Sequence, residues 1–127
     1  MKSLVFDTNP FLRFLLNDIP EQTEQVTQLL IKAKTKEINI FVSQIVIFEI
    51  EFALRKYYKF PKNEVIEKLR TILTTPYLKV QDIEIFQEAI PLYFIKNIDF
   101  VDCFLLINAK RKNSKIFTFD EGLKKMV

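Results

Sequence analysis

Two segments at opposite ends of the chain have one form. Leu4-Val5-Phe6-Asp7-Thr8-Asn9 and Ile116-Phe117-Thr118-Phe119-Asp120 are short apolar runs that finish on, or just before, an aspartate. Each reads as a buried strand with an acid at its carboxyl tip. Parallel strands buried on both faces carry such near-continuous apolar runs, and open parallel sheets bind their ligands in the crevice outside the carboxyl ends of the strands. An acidic site assembled from both ends of the chain is therefore expected, with Glu49 and Asp102 as further members. Carboxylates gathered without a basic partner repel one another, and a divalent cation relieves that repulsion. The pattern points to metal-assisted chemistry on phosphates.

The stretch between these ends alternates strand and helix. Pro10 suits the first turn of a short helix to Leu16, which Asn17-Asp18-Ile19-Pro20 ends with turn chemistry. Glu21 to Ala33 has Val26, Leu29, Leu30 and Ala33 at helical spacing. Ile38 to Val42 reads as the second strand, with Ser43 as N-cap of a helix to about Tyr57. Pro61 opens a helix to about Leu73, and Tyr77 to Val80 reads as the third strand. Asp82 begins a helix to about Ile95 in which Pro91 predicts a kink or early stop, and the last long helix runs from near Asp99 to near Asn113. Lys115 to Phe119 reads as the fourth strand. Repeated strand-helix order implies a parallel sheet with helices on both faces, in one domain over residues 1–127.

Composition excludes several chemistries. The chain has no histidine, so serine and cysteine triads, two-histidine ribonuclease chemistry and zinc sites are not expected. The lone Cys103 lies in an apolar helical run, reads as a buried thiol and fits a reducing, cytoplasmic compartment. One glycine leaves no room for a glycine-rich phosphate loop. The first apolar stretch is strand-length and runs into Asp7, unlike a signal peptide, and no run is long enough to span a membrane. With 49% hydrophobic residues among 127, the chain has the apolar content for its own core. A net charge of +3 is modest, so the distribution of bases matters more: Lys32, Lys34 and Lys36; Arg55, Lys56 and Lys59 around Tyr57 and Tyr58; and Lys110, Arg111 and Lys112. Bases interleaved with aromatics can track phosphates and stack bases, and Arg55, Lys56 and Lys59 are the candidates for RNA contact. Solvated helix ends are the plainer reading.

Helix geometry limits which acids can meet. Asp99 and Asp102 are three apart and can point from one first turn toward one region, where the helix dipole eases their crowding. Glu49 and Glu51 are two apart and cannot share a face. An acid within the apolar run Ile45-Val46-Ile47-Phe48 is costly unless paired or metal-bound, so one of these two is expected to be functional and the other exposed; spacing favours neither. Capping competes at every other position: Asp7, Asp99 or Asp102, and Asp120 can each cap a helix. Capping alone accounts neither for Asp7 at the end of a buried strand nor for a glutamate in mid-helix.

The segment Leu4 to Asn9, the Ser43 to Leu54 stretch with Glu49 six residues after the serine, Asp99-Phe100-Val101-Asp102 leading an apolar helix, and Thr118-Phe119-Asp120 resemble the PIN domain in order, spacing and length. Within that family the chain is most similar to ribonuclease toxins of the VapC type, whose opening strand, short helix and acidic-proline turn resemble residues 3–22. The resemblance implies a three-layer α/β/α sandwich around a mostly parallel sheet of four to five strands. It also implies that Asp7, Glu49, Asp102 and Asp120 hold magnesium or manganese, with Asn9 and Thr118 as supporting polar groups and Asp99 at the rim. The implied activity is endoribonuclease cleavage by a metal-activated water, in a toxin restrained by a cognate antitoxin and commonly dimeric. Cys103, Phe104 and Leu105 stand where the family more often has small residues. An aspartyl-phosphate phosphatase would need a second acid where Asn9 stands, and a phospho-receiver domain would need its acid on a middle strand. A non-catalytic PIN-like module that binds RNA or protein is the remaining rival.

Overall fold

A computed structural model describes residues 2–126. Three strands, β1 (Lys2–Phe6), β2 (Ile38–Val42) and β3 (Leu78–Val80), form a parallel sheet in the order β1-β2-β3. The register places Leu4 opposite Ile40 and Phe6 opposite Val42, then Ile40 opposite Leu78. Seven helices are present among the described residues: α1 (Thr8–Leu16), α2 (Pro20–Lys34), α3 (Gln44–Lys56), α4 (Lys62–Leu73), α5 (Ile83–Ile95), α6 (Phe100–Arg111) and α7 (Glu121–Lys124). The chain divides into two compact units, one up to Gln81 and one from Asp82 onward.

The first unit holds the sheet. Ile38, Ile40 and Val42 on β2 and Leu78 and Val80 on β3 are buried, while Phe41 and Lys79 between them are exposed. This period-two pattern turns Ile38, Ile40, Val42, Leu78 and Val80 into the core of the unit and Phe41 and Lys79 away from it. Helix α2 packs on β2 and α4 on β3, with α1 against α2 and α3, and α3 against α4. Ile40, Ile47, Ile50, Leu54, Val65, Ile66 and Leu69 are fully enclosed. Phe6 at the end of β1 meets Phe11 of α1 edge-on at 5.3 Å, so the strand and the helix that follows it are fixed to each other around Asp7.

The second unit is built on the hairpin of α5 and α6. Phe86 stacks with Phe100 at 6.0 Å and lies 4.9 Å from Phe104, and Tyr93 lies 5.2 Å from Phe100, an aromatic core that fixes the start of α6. Arg111 closes the far end with a 2.9 Å ion pair to Glu88. Of the kink or early stop that Pro91 predicts, helix α5 does not show the stop: it runs through the exposed proline to Ile95.

The expectation of four to five strands is corrected to three among the described residues, because Lys115 to Phe119 is irregular chain. A short apolar run becomes a strand only where a neighbour completes its ladder and covers alternate side chains. Here Phe117 is 86% and Phe119 81% exposed, and the two rings pack on each other at 5.3 Å.

Candidate active site

The acids of the first unit are organised by Thr8. Asp7 follows β1 as the N-cap of α1, in extended backbone, and its carboxylate accepts a hydrogen bond from the Thr8 amide. The Thr8 hydroxyl, nearly buried, donates 3.2 Å to the Glu49 carboxylate on α3. One residue thus ties together two acids far apart in sequence, just beyond the carboxyl end of β1. Both carboxylates stay solvent-exposed and open to a ligand. Asn9, one residue on, lines a cavity of about 350 Å³ with Phe6, Arg13 and Gln22.

The structure separates the two glutamates the sequence left undecided, and the separation corrects one expectation. Glu51 is buried, not exposed, and is paired with Arg55 one turn later at 2.8 Å. That pair is what allows a carboxylate inside the apolar helix. It also engages Arg55, whose guanidinium lies 5.7 Å from the Phe52 ring centre; Lys56 and Lys59 are exposed beyond it.

The second unit supplies Asp99, Asp102 and Asp120. Asp99 is the extended N-cap residue of α6 without a capping bond from its side chain, and Asp102 stands in the first turn, half-buried. Burial, with the charges of Asp99 and Asp120 behind it, holds the Asp102 carboxyl above the usual aspartate range. Asp120 caps α7, accepting 2.7 Å from the Leu123 amide, while its own amide donates 3.0 Å to the Thr118 hydroxyl. Thr118 therefore orients the backbone that presents Asp120. Capping is thus real at Asp7 and Asp120, and each keeps an oxygen beyond the one engaged in the cap. Among the described residues no three acidic or thiol side chains already form a group able to hold a metal ion.

The sequence profile of the PIN domain matches residues 4–127. The chain belongs to the PIN domain family. A relative is the VapC ribonuclease of Aquifex aeolicus strain VF5, 29% identical over 123 residues, which cover 96% of this chain and 90% of that protein. The PIN match spans every acid described above, from Asp7 to Asp120. Thr8 is the site residue that sequence reasoning passed over. Its signal was its place between Asp7 and Asn9 at the end of a strand, where a hydroxyl is poised to reach a neighbouring element.

Proposed function

We propose that this chain is a magnesium- or manganese-dependent endoribonuclease, acting as a single PIN domain over residues 1–127 and as the toxin of a toxin-antitoxin pair. The observation that carries the reading is the meeting of Asp7 and Glu49 on Thr8 beyond the carboxyl end of β1, where an open parallel sheet binds its ligands. The name of the Aquifex relative supports RNA as the substrate.

The donor set fits the implied ion. Asp7, Glu49, Asp102 and Asp120 offer only carboxylate oxygens, the ligands hard divalent cations prefer, and the chain has no histidine to draw a softer metal. When bound, such an ion lowers the pKa of a water and offsets the charge that grows on the phosphate during cleavage. The protein's own contribution is positioning. Thr8 fixes the spacing of Asp7 and Glu49, and Thr118 orients the backbone that presents Asp120. Asn9 and Thr118 serve as supporting polar groups near the ion and Asp99 as an additional acid at the rim, while exposed Lys56 and Lys59, with Arg55 held by Glu51, give the sugar-phosphate chain cationic support. No side chain acts as nucleophile in this scheme.

The same reading gives the partners and setting: a cognate antitoxin, a second copy of the chain, and the cytoplasm. Exposed Phe117 and Phe119 provide apolar surface for protein contact, and no helix among the described residues is long and apolar enough to cross a membrane. The test is cleavage of a structured RNA by purified protein. Activity should require magnesium or manganese, stop on chelation and fall by about a thousandfold or more in Asp7→Asn. Cleavage that survives both the chelator and the substitution overturns the proposal.

A further inference from the structure

The amino-terminal ends of β2 and β3 form a second feature, away from the acids of the first unit. A cavity of about 700 Å³ opens there, lined among others by Lys34, Lys36, Ile38, Asn39, Tyr77 and Lys79. Its volume lies within the range of small-molecule sites, roughly 300–1,000 Å³. Strand β2 separates it from the acidic end by four residue steps, about 13 Å at the usual rise.

The local backbone shows how the lysines come to be there. Helix α2 ends in a Schellman turn, in which the Glu37 amide donates 2.9 Å to the Lys32 carbonyl and the Lys36 amide 3.1 Å to the Ala33 carbonyl. That turn requires a left-handed residue, and Lys36 fills the position at φ 64° where glycine is usual. The nearest acid in sequence, Glu37, is engaged by the Thr35 hydroxyl at 2.7 Å. Among the described residues no carboxylate lies within ion-pair distance of Lys34, Lys36 or Lys79; the Lys79 ammonium instead lies 5.9 Å from the Phe41 ring centre.

Three ammonium groups without an anion, beside a half-exposed tyrosine ring and the apolar wall of Ile38, match a ligand that carries both a phosphate and a flat ring. We propose that this cavity binds a nucleotide, its phosphate on Lys34, Lys36 and Lys79 and its base against Tyr77. The nucleotide is either a unit of an RNA strand or free in solution. Only the first source rests on the ribonuclease reading.

Two binding assays in chelator, where no cleavage occurs, separate the sources: a labelled single-stranded RNA followed by anisotropy, and adenosine monophosphate followed by calorimetry. Each is run on the intact protein, on Lys34→Ala/Lys36→Gly/Lys79→Ala, and on Tyr77→Ala. Lys36→Gly removes the charge while relieving the left-handed strain, so lost binding cannot be ascribed to misfolding if the melting temperature holds. For an RNA unit, the triple variant weakens RNA at least tenfold and flattens its salt slope by about 0.7, the share of one phosphate on a single strand. Tyr77→Ala then weakens RNA severalfold. For a free nucleotide, adenosine monophosphate binds the intact protein and not the triple variant, while RNA binding is unchanged. Unchanged binding of both ligands in the triple variant overturns the proposal. So does loss on the lysine substitutions with no effect of Tyr77→Ala, which marks a bare anion patch. Nucleotide binding by a protein that cuts no RNA would sustain this site while removing the ribonuclease reading.

Discussion

At the scale of single residues, the acids are distinguished by what already holds them. Glu51 is spent on Arg55, whereas Asp7, Glu49 and Asp120 have one short contact each to a backbone amide or a hydroxyl. Asp102 has a raised pKa from burial and from Asp99 and Asp120, so its ionised form is disfavoured in the folded chain relative to the unfolded one. By linkage, such a group favours folding at pH below its unfolded pKa, and that contribution is lost as pH rises through the folded value. At pH 7 without metal, ionised Asp102 therefore works against the fold. Asp102→Asn should raise the metal-free melting temperature at pH 7, with the gain shrinking as pH falls through the carboxylate range, and should remove the magnesium-induced stabilisation that the proposed metal site predicts for the parent protein. Thermal melts from pH 3 to 8, with and without magnesium, check both halves. Asp99→Asn should keep part of the magnesium effect, since Asp99 stands at the helix entrance and not within its first turn.

Among the elements, the smallest carries the tightest constraint. Helix α7 has four residues, and its Gly122 is the chain's single glycine. A Cβ there would stand 3.2 Å from the Asp120 Oδ1, closer than ordinary packing allows. Alanine suits a helix better than glycine by about 1 kcal/mol, so Gly122→Ala should leave the melting temperature unchanged or higher. Displacing Asp120 by a few tenths of an ångström should nonetheless slow RNA cleavage by about tenfold or more. A full-rate Gly122→Ala protein would show that the position of Asp120 is not critical. The elements also show what a sequence discloses. Strand β2 and helices α3 and α4 were legible because Ser43 and Pro61 mark helix starts and the apolar spacing has one clear period. Lys115 to Phe119 has the same apolar look as a strand, but strand formation depends on a partner ladder that no local pattern encodes. The choice between Glu49 and Glu51 was half legible: Arg55 stands four residues after Glu51, the spacing of an intrahelical ion pair, whereas the reach of Thr8 to Glu49 follows from how α1 and α3 pack.

For the whole molecule, the PIN family match runs across both compact units, and the proposed chemistry requires acids from each. The central claim is that Asp7 and Glu49 act with Asp102 and Asp120 on a common divalent ion. Manganese binding measured directly, by calorimetry or by the spin resonance of the free ion, tests it most simply in the parent protein, Asp7→Asn, Asp102→Asn and the double variant. A shared ion predicts that each single substitution weakens manganese at least tenfold and that the double variant loses little more, because removing either carboxylate already breaks the same coordination. Asp7→Asn and Asp102→Asn effects that simply add, or an Asp102→Asn protein that binds manganese as well as the parent, would contradict it.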